Sequence, residues 1–220
     1  MLLVLLPHEL SAQSVAPGSM DLYGLDPLLF NGRYYSFYIT KGTIGDPFLQ
    51  GTGFLKGSVT VRGVNFDNLD LNYDVYNQQL VLKYLNRLGA VNQIIVSDAW
   101  LEGFTLDDMH FCLLQNADTT KRIYRVFGSG EITLLRYYSK TLALDNQLSS
   151  RNFRFSNLRF ENYLRTSSGM RAFKGNRNFV SLFDAGKQPN IRKYLHEKRI
   201  RLRKAGDREL TELITYCNQL

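Results

Sequence analysis

The sequence predicts an α+β protein: an antiparallel β-sheet meander, with a curled sheet or partial barrel as its variants, followed by short C-terminal helices. Three observations lead there. Between residues 31 and 165, short segments of aromatic and branched residues recur between turn residues, with no helical period among them. From about Asn176 the apolar spacing changes from two to three and four. The chain has 220 residues, 44% hydrophobic and 21% charged, enough for one sizeable core or two small ones.

The first element is a leader. "MLLVLLPHELSAQSVAPGS" places an apolar run, Leu2 to Leu6, before small residues, with Ala12 preceding a cut at Gln13. That pattern resembles a secretory signal over residues 1–12 and predicts an exported protein. No basic residue precedes the run, and Pro7, His8 and Glu9 interrupt it; a frayed cytosolic N-terminus is the alternative. No cysteine follows the run, which argues against a lipid anchor. Residues 13–30 form a lead-in.

The β domain is expected over residues 31–165. "RYYSFYI" (Arg33 to Ile39) reads as a strand covered on both faces. "GDPFLQGTG" (Gly45 to Gly53) is a loop. Phe54 to Gly63 alternates as a half-buried strand. "NLDLNYDVYNQQLVL" reads as strand, turn and strand: Leu69, Leu71, Tyr73 and Val75 face the core, and Asp70, Asn72 and Asp74 form the solvated face. Further strands are predicted at Gln93–Ser97, Met109–Leu114, Arg122–Phe127 and Glu131–Tyr138, the last two joined through "GSG". Residues 141–152 read as a polar connection, and Phe153 to Leu164 adds one or two strands.

Residues 176–220 form the helical segment, packed on the sheet or set apart as a small subdomain. "NRNFVSLFDAG" is a short helix ending at Gly186, and Pro189 sits in the first turn of a second. Asp207 is the expected N-cap of a third. Its Leu210, Leu213, Ile214 and Cys217 form one buried stripe.

Charge divides the chain unevenly. Residues 151–220 carry 16 Lys and Arg against 6 Asp and Glu, whereas residues 1–150 carry 11 against 14. The basic third suggests acidic company. Within it, "RNFRFSNLRFENYLR" interleaves arginines with aromatics, and "HEKRIRLRK" is a concentrated run. A solvated strand face and a helix end favoured by the macrodipole are the plainer readings of these two stretches. No apolar run approaches the roughly 18 residues that span a bilayer, which excludes a helical membrane protein.

Catalytic signals are weak. D-x-N-x-D at Asp70, Asn72 and Asp74 opens an EF-hand loop, but the sixth and twelfth positions are Val75 and Val81 rather than Gly and Glu. Cys112 and Cys217 make neither a zinc site nor a disulfide framework; one bridge between them is conceivable. His110 and Cys112 share a strand face, but no orienting third group accompanies them. Asp107 and Asp108 read as turn residues, His196 as a solvated helix residue, and no phosphate-cradling loop is present. No cofactor is indicated.

Three stretches together resemble a family of exported, envelope-associated proteins of the Bacteroidota type. They are "GDPFLQGTGFLKGSVTVRGVNFDNLDLNYDVYNQQLVL", "YRVFGSGEITLLRYY" and "FVSLFDAGKQPNIRKYLHEKRIRLRKAGDRELTELITYCNQL". The resemblance covers most of residues 30–220 and rests on the order of these motifs. It implies export and this order of elements, and it carries no catalytic or binding residue across.

The expectation is a non-enzymatic structural or interaction component of the cell envelope, periplasmic or outer-membrane associated. Its partner would be an envelope protein or an anionic lipid or glycan surface, with nucleic acid disfavoured by export. Lys193, Arg199, Arg201, Arg203 and Lys204 are the candidate contact residues. A ligand-binding module with a groove along Tyr34 to Tyr38, and a hydrolase using His110 or Asp107, are the alternatives.

Overall fold

The computed structural model describes residues 26–220, apart from 27, 31, 38, 87, 116–119 and 146–151. The proposed leader and most of the lead-in lie outside the described residues. The strands are, in chain order, β1 (Arg33–Tyr34), β2 (Leu55–Val61), β3 (Val64–Asp74), β4 (Gln79–Leu85), β5 (Val91–Ile95), β6 (Leu101–Leu106), β7 (Met109–Gln115), β8 (Lys121–Phe127), β9 (Thr133–Ser139), β10 (Leu142–Leu144), β11 (Phe153–Phe155), β12 (Arg159–Thr166) and β13 (Gly169–Phe173). Helices α1 (Asn176–Val180), α2 (Gln188–Glu197) and α3 (Asp207–Gln219) follow. The protein is an antiparallel α+β meander with short C-terminal helices, and its sheet does not close.

Eleven strands make one sheet in the order β1-β5-β4-β3-β2-β6-β7-β8-β9-β12-β13, while β10 and β11 pair separately. Three strands separate β5 from β6, a span of about 19 Å in a flat sheet. The link between them is only residues 96–100, and a turn at Ser97–Leu101 shortens it. The sheet must therefore curl. Leu80 of β4, Ile95 of β5, Leu101 of β6, Leu113 of β7 and Ile123 of β8 accordingly line one cavity of about 570 Å³.

Two apolar clusters result. The first fills the concave side of the curl, with Val59, Leu71, Tyr73, Leu82, Phe104 and Phe111 at its centre. The second joins the far end of the sheet to the helices, where Phe127, Leu134, Leu164 and Phe173 meet Phe179, Ile191, Leu202, Leu213 and Cys217. Asn218 of α3 clamps the β8–β9 turn. It accepts from Ile132 N (2.9 Å) and donates to Ser129 O (3.1 Å) and Ile132 O (2.8 Å). At Gly128 a Cβ would lie 2.4 Å from Ile214, and φ is +75°, so only glycine fits under the helix.

Several expectations are corrected. The solvated face of β3 ends at Asp70: Asn72 and Asp74 are buried beneath the loop Gly45–Gly53. Leu49 N donates to Tyr73 O and Val75 N to Pro47 O, which lays the loop against the end of β3. Asn72 Nδ2 satisfies Gly51 O and Gly53 O. Asp74 accepts from Tyr35 Oη, Tyr76 N, Asn77 N and Asn77 Nδ2. In β3 a bulge at Asp67–Asn68, with Asn68 at φ +56°, keeps both Phe66 and Leu69 on the buried face.

The Arg33–Ile39 strand shrinks to two residues. Beyond Tyr35 the described aromatics are anchored by side chains, Phe37 packing on Tyr76 at 5.6 Å. Leu142–Leu144, inside the expected polar connection, is a strand paired with Phe153–Phe155. Strands β6 and β13 were not anticipated, because glycine interrupts the one and opens the other. Asp207 is the first helical residue of α3 rather than its cap: Gly206 caps, donating its N–H to Glu209 Oε2 at 2.8 Å.

Candidate functional site: a basic groove at the helical end

The segment between α2 and α3 alternates. Ile200, Leu202 and Ala205 are buried; Arg199, Arg201, Arg203 and Lys204 are exposed. Asn176 at the start of α1 fixes this segment, donating Nδ2–H to Ile200 O (2.7 Å) and accepting from Leu202 N (3.0 Å). The apolar anchors and this amide clamp hold the arginines outward as a fixed row.

Arg199 sits in the left-handed region at φ +54°, where α2 ends with Ile200 N donating to Leu195 O. Glycine is the ordinary residue at such a helix end. An arginine there costs about 1 kcal/mol of backbone strain, so the position carries a cation at some expense of stability.

Three adjoining depressions form one groove. The largest, about 980 Å³, lies between α1 and α2. Arg177, Arg192, His196, Arg199 and Arg201 surround it over a floor of Val180, Leu195 and Ile200. The second, about 370 Å³, shares Arg177 and Arg201 with the first and adds Arg203 and Lys204. The third, about 480 Å³, shares Arg203 with the second and runs onto β12 and β13 beside Phe160, Asn162, Phe173 and Lys174.

Among the described residues, no carboxylate lines the first two depressions. Glu161 borders the third, but its carboxylate accepts from Tyr163 Oη (2.7 Å), two residues along the strand and on the opposite face from Asn162. Among the described residues, Arg177, Arg199 and Arg201 have no ion-pair partner. Arg192 donates to the neutral Gln188 Oε1 (2.8 Å).

Of the five cations expected from the sequence, the structure brings four to the groove: Arg199, Arg201, Arg203 and Lys204. Lys193 stands apart, on the side of α2 facing Glu197 at 3.9 Å. Arg177, Arg192, His196 and Lys174 were missed. Arg192, His196 and Arg199 fall at i, i+4 and i+7, the spacing of one helix face. That periodicity was the available signal for Arg192 over Lys193.

The other candidates lie elsewhere. His110 is exposed opposite Thr105, and Asp107 is an exposed turn residue at φ +47°. Cys112 is opposite Gly103 on one side and Tyr124 on the other, and burial pushes its thiol up to about 11. Cys112 and Cys217 are both free. Tyr34 is exposed, whereas Tyr35 is half-buried against Asp74, with burial followed by that carboxylate raising its phenol. Tyr38 lies outside the described residues. Among the described residues, no group of three or more His, Cys, Asp or Glu side chains could hold a metal ion, and no helix is long and apolar enough to cross a membrane.

Comparison with protein-family models, with curated proteins and with solved structures returned no match.

Proposed function

We propose that the protein is a non-enzymatic, exported envelope component that holds an acidic glycan along the groove at its helical end. The observation that supports this most is the α1–α2 cleft, which presents Arg177, Arg192, Arg199 and Arg201 and, among the described residues, no carboxylate. Guanidinium groups in a fixed array suit carboxylate or sulfate groups repeated along a chain. The three depressions adjoin through shared arginines, an elongated arrangement that fits a polymer segment better than a flat lipid surface. Among the described residues, His196 is the only ring lining the first two depressions. A single-stranded nucleic acid would call for stacking platforms there. The leader-like start and the family resemblance read from the sequence support an envelope location.

The test is titration with polygalacturonate, with neutral dextran, anionic phosphatidylglycerol vesicles and single-stranded oligothymidylate as comparison probes. Polygalacturonate should bind in low salt and weaken as salt rises. Arg199→Glu with Arg201→Glu should lower its affinity at least about tenfold. Binding of vesicles or oligonucleotide in preference to polygalacturonate, or an unchanged affinity in the double variant, would overturn the proposal.

A further inference from the structure

The third depression differs from the rest of the groove. It has an exposed aromatic ring, Phe160, beside an amide, Asn162, and two cations, Lys174 and Arg203. Behind its wall lies Arg136, only 6% exposed. The Arg136 guanidinium stacks over Phe160 at 4.2 Å and donates Nε–H to Asn162 Oδ1 at 2.9 Å, so it rests against two residues that line the pocket.

Among the described residues, this guanidinium has no ion-pair partner. Its Nη2 is buried with no hydrogen-bond partner. Its cross-strand neighbour Arg125 is itself bound by Asp207. Arginine does not escape the cost of burial by losing its proton. A fixed positive charge therefore stands in a poorly screened position directly behind the pocket wall.

We infer that this pocket takes a single carboxylated sugar residue, its carboxylate toward Arg203, Lys174 and Asn162 and its ring face against Phe160. The inference rests on the acidic-glycan reading and names the subsite where that glycan is recognised residue by residue. Each part has a separate task. Lys174 and Arg203 meet the carboxylate at the rim, and Asn162 offers its amide. Arg136 acts as a positioning residue: it holds Asn162 and Phe160 and supplies the field. The aromatic ring accepts the apolar C–H face of a pyranose, which a bare anion would not use. Arg203 belongs to this pocket and to the neighbouring depression, so a chain entering here continues into the arginine row.

The experiment is an NMR titration of the whole protein with sodium glucuronate and, separately, with glucose. Glucuronate should give saturable shifts at residues 160–162 and 172–174, and glucose should give none. Phe160→Ala and the exposed-site variant Arg203→Gln should each weaken glucuronate at least about tenfold, the loss expected for one charge-assisted contact or one stacked ring. Arg136→Lys should weaken it less than Arg136→Met. Equal response to glucose, shifts placed elsewhere, or indifference to Phe160→Ala and Arg203→Gln would overturn the pocket. Polygalacturonate and glucuronate titrations of the parent protein separate the two readings. Polygalacturonate binding without glucuronate shifts at these residues sinks the pocket alone; glucuronate binding at these residues without polygalacturonate binding sinks the polymer reading alone.

Discussion

Asp70, Asn72 and Asp74 share one strand face and have three different environments. Asp70 stays at the surface between Lys56 (3.0 Å) and Lys83 (3.6 Å). The hydrogen bond from Lys56, aided by both ammonium charges, holds its carboxyl below the ordinary value of 3.8. A depressed folded value means the stabilisation is present above the unfolded value and is lost as pH falls through the lower folded one. Asp70→Asn should therefore cost less than about 1 kcal/mol at pH 7 by denaturant unfolding, since its carboxylate is a third exposed and screened. The difference from the parent should vanish in strong acid. Asn72 and Asp74, by contrast, were illegible as buried groups. Alternation in β3 shows correctly that Leu69, Leu71, Tyr73 and Val75 form a core face. It says nothing of what covers the other face, which here is a loop some twenty residues away in sequence, seen in the Asn72 contacts to Gly51 and Gly53.

At the scale of elements, the hairpins were the readable part, because period-two patterns and turn residues are local signals. The strand order was not, since the β2–β6 pairing joins residues about forty apart and depends on the curl. The site was half legible for the same reason. "HEKRIRLRK" announces a basic run, but only the packing of α1 against the α2–α3 link brings Arg177 beside Arg201. Within that link, Arg199 combines a strained backbone with an unpaired cation in the groove. Arg199→Gly should raise stability by about 1 kcal/mol, because glycine accepts φ > 0 without strain. The same variant should weaken polygalacturonate binding. Thermal unfolding and titration of the one variant measure both effects, and a gain in stability with full binding would mean that Arg199 has no part in the site.

Across the whole molecule, shape and charge are divided. The curled end of the sheet carries the larger apolar core and a near-neutral surface, and the helical end carries the excess of cations. The second core, between the helices and β8, β9, β12 and β13, joins the groove to the sheet. Asn218 on the β8–β9 turn and the ion pair of Arg125 with Asp207 tie it there. Burial pushes the Cys217 thiol in that core up to about 12, which keeps it protonated and apolar at neutral pH. A polymer held on such a surface should leave a footprint without a change of fold. Amide hydrogen exchange with and without polygalacturonate reads that footprint directly. The account predicts slowed exchange confined to residues 160–162, 172–181 and 192–204, with the β1–β7 amides unchanged. Protection centred on the curled end, or none anywhere at saturating polymer, would contradict it.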